Sequence, residues 1–320
     1  MTVEELTNKI FSNDRRSVAR AISIIENNNS TASELLIQLH SNVGNAYRIG
    51  ITGPPGSGKS TITNQLTKFY RKQNKKVGII AIDPTSPFTG GALLGDRVRM
   101  SEIGNDQNIF IRSMATRGSL GGLSIKAVDA ADVLDAAGYD FIIMETVGVG
   151  QSELDIAQAA DSTVVVLVPE SGDAVQAMKA GLMEIADFFV LNKSDRPGSE
   201  QAVASMQTIL MMRAHDENSW MPNIIKTIAS ENKGIEEIAN EVNRHKDYLK
   251  TNKLFITKRE NQTKNRIKNI VENKLKEKLW SESAENSLNL SLEKVVFGDL
   301  SPYQIAENII DNFVSNKNNN

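Results

Sequence analysis

Gly53-Pro54-Pro55-Gly56-Ser57-Gly58-Lys59-Ser60 fits the phosphate-loop pattern G-x-x-x-x-G-K-[ST]. Its bare glycines let backbone N–H groups wrap a triphosphate, and Lys59 adds a positive charge for the β- and γ-phosphates. The hydroxyl of Ser60 suits Mg²⁺. The motif lies between a predicted strand, 47–52, and a predicted helix, 60–70, whose N-terminus favours anions. This context predicts a nucleoside triphosphate site rather than an ordinary glycine-rich turn.

A second motif, Asn192-Lys193-Ser194-Asp195, fits the guanine-reading pattern N-K-x-D and follows a buried-strand run. The Asp195 carboxylate can accept hydrogen bonds from guanine N1–H and N2–H₂, a donor pair that adenine lacks. We expect Asn192 and Lys193 to support the loop, with the Lys193 stem lying on the base. Ala229, in the segment 227–230, is the candidate that closes the base pocket through its backbone N–H. The two motifs together predict GTP and GDP as ligands.

Composition limits the class of protein. The chain has 320 residues and a net charge of −3, so we expect no nucleic-acid partner. It has no cysteine, which excludes disulfides, cysteine-ligated zinc and thiol catalysis and fits a reducing compartment. The acidic first residues lack the apolar core of a signal peptide, and no apolar run approaches the ~20 residues of a membrane span. We therefore expect a cytoplasmic protein without a membrane partner.

The alternation of apolar segments predicts the fold. Beyond 47–52, strand-type runs recur at 77–82, 108–111, 139–144, 163–168 and 188–191. These runs are continuous rather than alternating, which indicates strands buried on both faces of a largely parallel sheet. The expected fold is an α/β phosphate-loop GTPase with a mostly parallel central sheet flanked by helices, plus helical N- and C-terminal extensions.

Helix signals dominate both ends of the chain. Asp14 is a predicted cap for a helix over 15–26, and Thr31 with Glu34 is a predicted capping box. The segment 253–279 is rich in Lys and Arg, and we interpret it as a solvated helical arm rather than a nucleic-acid site. Ser301-Pro302-Tyr303-Gln304 predicts a last helix start. The predicted domains are an N-terminal extension over 1–44, a GTPase domain over 45–250 and a C-terminal dimerisation arm over 251–320.

Acidic residues at predicted strand ends mark a metal site. Glu145 ends a buried run and is followed by Gly148; in phosphate-loop enzymes an acid in this place orients Mg²⁺, and the glycine N–H meets the γ-phosphate. Asp83 ends the run 77–82, and Asp96 follows a glycine-rich stretch, where helix capping is an alternative role. The predicted metal set is Ser60, Asp83, Asp96 and Glu145.

The residue that would orient the attacking water is out of its usual register. In small signalling GTPases a glutamine stands four residues after the metal acid. Here that position is Val149, and Gln151 lies two residues further on. We therefore expect slow intrinsic hydrolysis that a partner or a conformational change raises. The candidate cations are Arg97, Arg99, Arg112, Arg117 and, best placed, Lys179. The predicted catalytic set is Lys59, Glu145, Gln151 and Lys179.

These motifs resemble a known family, the GTPase chaperones of adenosylcobalamin-dependent acyl-CoA mutases, often labelled lysine/arginine/ornithine transport ATPases. The resemblance spans about residues 10 to 315. The departures are an approximate base-closing segment and an additional asparagine-rich tail. The segments that carry it are Gly53 to Thr61, Ile82-Asp83-Pro84-Thr85-Ser86-Pro87, Gly95-Asp96-Arg97-Val98-Arg99-Met100, 114–123 and Glu145-Thr146-Val147-Gly148-Val149-Gly150-Gln151-Ser152-Glu153.

The resemblance implies metal roles for Ser60, Asp83, Asp96 and Glu145, and guanine binding by Asn192 and Asp195. It also implies a partner-responsive loop over 170–179, dimerisation through the C-terminal helices, and a mutase of the methylmalonyl-CoA type as partner.

Other functions remain open at this point. A GTPase for nickel enzyme maturation would need His- or Cys-rich metal stores, and the chain has only His40, His215 and His245. A small-molecule kinase is disfavoured because kinases usually read ATP rather than GTP. A nucleotide-binding transport accessory protein is the last alternative; co-purification with a mutase rather than a permease would distinguish the two.

Overall fold

The structure, a computed structural model, describes residues 1–27, 30–83, 103–115, 125–146, 155–170, 181–212 and 219–318. Its strands are β1 (Tyr47–Thr52), β2 (Val77–Asp83), β3 (Ile109–Ala115), β4 (Phe141–Thr146), β5 (Ser162–Leu167), β6 (Phe188–Leu191) and β7 (Ile224–Lys226). Its helices are α1 (Val3–Phe11), α2 (Arg15–Glu26), α3 (Ala32–Leu39), α4 (Lys59–Lys72), α5 (Ile125–Ala136), α6 (Leu182–Ile185), α7 (Ser199–Met211), α8 (Ile235–Thr251), α9 (Leu254–Leu279), α10 (Glu282–Val296) and α11 (Pro302–Asn318).

All described strand pairs are parallel, and they form one seven-stranded sheet in the order β3-β2-β4-β1-β5-β6-β7. The predicted fold class is confirmed. Strand β1 lies at the centre, between β4 and β5, and its carboxyl end leads into the phosphate loop. Strand β3 extends to Ala115, four residues beyond the apolar run that predicted it, because polar residues such as Arg112 and Ser113 continue the pairing with β2.

The sheet is covered on both faces, as continuous apolar strands require. On one face Ile80 and Ile142 pack in a core with residues of α1, α2, α3 and α5. On the other face Ile79 and Ile143 pack in a core with residues of α4 and α8. Because successive strand residues point to opposite faces, both cores draw on the same strands. The N-terminal helices therefore complete one layer of the sandwich.

The chain divides into two compact units, residues 1–259 and 260–320. The second unit is helical, as predicted for this part of the chain. Helix α11 begins with a formed capping box, in which the Ser301 hydroxyl accepts from the Gln304 N–H at 3.2 Å and the Gln304 side chain accepts from the Ser301 N–H at 2.8 Å. The separate roles assigned to 1–44, 45–250 and 251–320 stay a prediction. Within the described ranges no helix has the length and apolarity needed to cross a membrane.

A buried polar network lies at the amino-terminal edge of the sheet. His245 of α8 is 2% exposed; its Nδ1 shares a hydrogen bond with Ser162 Oγ at 2.7 Å, and Ser162 Oγ shares another with the Tyr47 hydroxyl at 2.7 Å. His245 Nε2 lies 3.3 Å from the Asp187 carboxylate, which also pairs with Lys258 at 3.1 Å. Burial lowers the pKa of His245 to about 4, so the ring is neutral at physiological pH.

This depressed pKa makes stability depend on pH. Between the unfolded pKa of 6.5 and the folded pKa of about 4, the unfolded chain binds a proton that the folded chain does not. Acidification from pH 7.5 to pH 5.5 should therefore cost about 1 kcal/mol of unfolding free energy through this residue. Urea denaturation at both pH values should show this loss in the native protein. The loss should be smaller by the same amount in His245→Asn; equal losses in both proteins would contradict the assignment.

Candidate nucleotide site

Two glycines of the phosphate loop are required by both backbone angle and space. Gly53 has φ +137°, and a Cβ there would lie 2.1 Å from the Val166 carbonyl oxygen. Gly58 has φ +93°, and a Cβ there would lie 2.2 Å from the Asn192 side-chain nitrogen. L-residues disfavour such φ values, and neither neighbour leaves room for a methyl group. The loop is thus pressed against β5 at Gly53 and against the second motif at Gly58.

The loop presents polar groups that suit an anionic ligand. Lys59 is buried, and its ammonium donates to the carbonyl oxygens of Gly53 at 2.7 Å and Pro54 at 3.0 Å. Phosphate oxygens would be stronger acceptors for this charge than neutral carbonyls. Ser57 Oγ is buried and has no hydrogen-bond partner among the described residues. A Cβ at Gly56 would meet nothing within 4 Å. These features fit a phosphate group in the loop.

Two oxygen ligands for a hard cation lie side by side next to the loop. The Ser60 hydroxyl donates to Glu145 Oε1 at 2.5 Å, and Glu145 is fully buried on β4. Strands β1 and β4 pair Ile51 with Glu145, which places the carboxylate beside the start of the phosphate loop. Hydroxyl and carboxylate oxygens match the chemistry of Mg²⁺. Over the described part of the chain no group of three or more His, Cys, Asp or Glu residues is arranged to hold a metal.

Several predicted site residues lie outside the described residues. They are Asp96, Gly148, Gln151 and Lys179; for Asp83 the structure places the backbone at the end of β2 but not the side chain. The predicted metal set is therefore represented here by Ser60 and Glu145. Of the predicted catalytic set, Lys59 and Glu145 are described.

A buried pair of threonine hydroxyls, which the sequence did not indicate, joins the strand that carries Glu145 to the strand that precedes the phosphate loop. Thr146, which follows Glu145, donates to the Thr52 hydroxyl at 3.0 Å, and both side chains are fully buried. Thr52 is the last residue of β1 and immediately precedes Gly53. The pair fixes the carboxyl ends of β1 and β4 relative to each other. Threonine at strand ends is common, so no sequence signal distinguishes this pair.

Asn192 connects three loops. Its side-chain amide is buried and donates to the Ser57 carbonyl oxygen at 2.8 Å. Its side-chain oxygen accepts from the Thr227 hydroxyl at 3.0 Å and from the Ala229 N–H at 3.1 Å. The residue predicted as a loop support thus binds the phosphate loop with one end and the base-closing segment with the other. Thr227 was not singled out by the sequence, although it lies in the predicted segment.

Of the remaining residues of the guanine motif, Lys193 and Ser194 are fixed by hydrogen bonds and Asp195 is exposed. Lys193 has φ +57°, and its ammonium donates to the Gly56 carbonyl oxygen at 2.8 Å. Ser194 is held by Thr227, whose carbonyl oxygen accepts from the Ser194 N–H and hydroxyl, each at 3.0 Å. Asp195, by contrast, is exposed. A carboxylate that reads a base must be accessible, and the neighbouring contacts hold its backbone in place.

Arg196, next to Asp195, pairs with Glu170 at the end of the segment that follows β5. This contact connects the base-reading loop to the residue at which the predicted partner-responsive loop begins. Both side chains are about half exposed. Exposed pairs of this kind contribute about 0–1 kcal/mol, so the contact can form and break readily.

Comparison with known proteins identifies relatives over nearly the whole chain. Residues 18–284 match the family model described as "Methylmalonyl Co-A mutase-associated GTPase MeaB". A Pyrococcus abyssi protein described as a GTPase is 44% identical over 314 residues, 98% of this chain and 97% of that protein. The mouse "Methylmalonic aciduria type A homolog, mitochondrial" is 32% identical over 332 residues, 98% of this chain and 80% of that protein.

The solved structure "Crystal structure of LAO/AO transport system kinase" is similar over 97% of both chains, with 26% sequence identity and a TM-score of 0.72. This similarity supports the α/β fold described above.

The contact between Gly58 and Asn192 predicts a specific coupling. A left-handed φ alone costs an alanine about 1–2 kcal/mol of unfolding free energy. Gly58→Ala should cost more than this, because the new methyl group must also displace the hydrogen-bonded Asn192 amide. In the Asn192→Ala background the excess should fall by at least about 1 kcal/mol. Gly56→Ala is the matched control: it shares a positive φ, at +77°, but has open space, so its cost should be equal in both backgrounds. Denaturant titration of the single and double variants measures these unfolding free energies. If the costs of Gly58→Ala and Asn192→Ala simply add in the double variant, the two residues are not coupled.

Proposed function

The chain belongs to the family of methylmalonyl-CoA mutase-associated GTPases, and from this membership we propose that it is a Mg²⁺-dependent GTPase that gates cofactor loading and protection of an adenosylcobalamin-dependent acyl-CoA mutase. Its family and named relatives establish a guanine-nucleotide GTPase. The observation that carries the assignment to this site is the Asn192 side chain, which joins the phosphate loop, the guanine motif and the base-closing segment.

The described residues have distinct roles in the proposed reaction. Lys59 exchanges its loop carbonyls for β- and γ-phosphate oxygens and stabilises the charge that develops on them during transfer to water. The Asp195 carboxylate accepts from the guanine edge, and the segment 227–230, in which the Ala229 N–H is held by Asn192, closes the pocket. Ser60 and Glu145 would hold Mg²⁺, together with Asp83 and Asp96. When bound, the ion neutralises charge on the β- and γ-phosphates.

Positioning of the attacking water is the step that we assign to partner control. Val149 stands where small GTPases carry the water-orienting glutamine, and Gln151 lies two residues further on. We propose that a partner moves Gln151 or Lys179 to the γ-phosphate. The Arg196–Glu170 contact supports this proposal, because it connects the nucleotide loops to the start of the segment that carries Lys179.

The proposed partner is a mutase of the methylmalonyl-CoA type, since both the family and the mouse relative carry names that refer to methylmalonyl metabolism. We also propose a homodimer through the second unit. That unit exposes large apolar side chains, which on a soluble monomer are usually few and scattered. Four of them are at least 79% exposed: Leu290, Val296, Phe297 and Tyr303.

A metal-store function for nickel enzymes has less support. Of the histidines in the described residues, His245 is buried in the network at the amino-terminal ends of the strands, and His40 is exposed. The chain has no cysteine to add ligands.

Nucleotide preference tests the guanine assignment. GTP and GDP should bind roughly a hundredfold more tightly than ATP and ADP, because adenine leaves the Asp195 carboxylate without its two donors. Asp195→Asn should shift the preference toward xanthosine nucleotides, whose 2-oxo group accepts from an amide. Calorimetry with all four nucleotides and both proteins measures these changes. Equal affinity for ATP and GTP in the native protein would exclude the guanine assignment.

Partner control is tested by turnover. Basal phosphate release from GTP should be slow and should rise on addition of a purified adenosylcobalamin-dependent acyl-CoA mutase, since a cation delivered to the γ-phosphate can accelerate transfer ~10³-fold. Lys179→Ala should remove most of the stimulation, whereas the exposed Lys72→Ala on α4 should preserve it. Fast basal turnover, or no response to the mutase, would leave an autonomous GTPase.

A further inference from the structure

One edge strand of the sheet, β3, has a free side: no described element forms backbone hydrogen bonds with it there. Strand β3 is the terminal strand and pairs with β2 alone. In a parallel pair, alternate residues of a strand direct their backbone N–H and C=O groups to the same neighbouring strand. Since the Val77 N–H donates to the Asn108 carbonyl, residues 110, 112 and 114 direct these groups to β2. Ile111 and Ser113 therefore direct theirs outward. Both residues are half-buried, so solvent reaches this edge.

A groove of about 620 Å³ runs along this edge, between β3 and the first turns of α2. Its walls include Ile111 and Arg112 from the strand and Asp14, Arg15 and Arg16 from the helix. The Arg112 charge is compensated by Glu26, and Asp14 caps α2 by accepting from the Ser17 N–H at 2.8 Å. Arg15 and Arg16 are both exposed.

The position of Arg15 and Arg16 is unfavourable for the helix itself. They occupy the first turn of α2, where the helix dipole favours negative charge, and this turn contains no acidic residue. Arg15 donates to the Gly104 carbonyl oxygen at 3.2 Å, a neutral acceptor beside the groove. Each arginine has an acidic neighbour, Asp106 for Arg15 and Asp14 for Arg16, but both side chains remain exposed. Both residues line the groove, so their positive charges are accessible to a ligand that binds in it.

We propose that the β3 edge and this groove form a docking site for an extended acidic segment of a partner protein, which adds a strand beside β3. The backbone groups of Ile111 and Ser113 supply main-chain hydrogen bonds, and Arg15 and Arg16 supply charge complementarity. The inference concerns a surface separate from the nucleotide site, and it holds whether or not the partner is a mutase.

The geometry also defines the sequence of the segment. Successive residues of an added strand point to opposite faces of the sheet. One set of alternate residues lies on the face that carries α2 and meets the arginines, so it should be acidic. The other set lies on the face to which Ile109 contributes a core side chain, so it should be apolar. The preferred partner segment thus alternates Asp or Glu with Val, Ile or Leu.

Binding of a fluorescein-labelled peptide of alternating Glu and Val, about eight residues long, tests this inference by fluorescence anisotropy with the full-length protein. A peptide of alternating Lys and Val is the control. The Arg15→Glu/Arg16→Glu double variant should weaken binding of the Glu peptide at least tenfold. The matched variant Lys72→Glu/Lys250→Glu makes the same charge change at exposed positions on α4 and α8, which pack on the other face of the sheet, and it should bind as the native protein does.

Two further measurements separate strand addition from plain charge attraction. Ser113→Pro removes an outward N–H and leaves the ladder to β2 intact, so it should weaken binding without loss of the fold. Amide exchange at Ile111 and Ser113 should be fast in the free protein and slow with the Glu peptide.

Three outcomes would overturn the proposal. The first is equal binding of both peptides, or none by the Glu peptide. The second is protection of Ser113 in the free protein at low concentration, which would mean that the chain covers its own edge. The third is protection that grows with protein concentration without peptide, which would assign the edge to a second copy.

Discussion

The close packing of the Asn192 side chain against Gly58 holds the nucleotide site together. Gly58 must lack a Cβ because the Asn192 amide occupies that space, and the same amide donates to the Ser57 carbonyl one residue earlier. The phosphate motif and the guanine motif are therefore parts of one packed unit. A ligand that contacts either loop meets a surface whose shape depends on both. This arrangement explains why both ends of the Asn192 side chain are used and why the residue is buried.

The parallel sheet makes this meeting possible. In such a sheet all strands end at the same edge, so loops distant in sequence converge there. β1 delivers the phosphate loop, β4 delivers Glu145, and β6 delivers Asn192. The Thr52–Thr146 hydroxyl pair fixes the first two strand ends, and the Thr227 hydroxyl fixes the third through Asn192. The order of the strands in space, rather than their order in sequence, determines which side chains share the site.

Much of this arrangement could be predicted from motifs and apolar periodicity, and the rest depends on atoms that no pattern identifies. Thr31 with Glu34 fits a capping box, yet Thr31 has helical angles and makes no cap hydrogen bond, so that prediction was wrong. Thr2 with Glu5 fits the same pattern, was not singled out, and forms the complete box. A cap requires extended backbone at its first residue, and the chain around it determines that angle. Strand ends differed for a related reason: pairing with a neighbour continues through polar residues, which periodicity cannot detect.

The amino-terminal and carboxyl-terminal ends of the strands differ in how their polar side chains are paired. At the amino-terminal edge, buried acids are fully engaged: Asp135 accepts from three consecutive backbone N–H groups, and Asp161 accepts twice from the Arg259 guanidinium. At the carboxyl-terminal edge, Lys59 and Lys193 hold carbonyl oxygens of the phosphate loop, and Ser60 holds a carboxylate. A phosphate or a cation can replace the contacts of Lys59 and Ser60 with stronger ones. The contacts that a ligand would replace thus lie at the carboxyl ends of the strands, apart from the buried acid contacts at their amino ends.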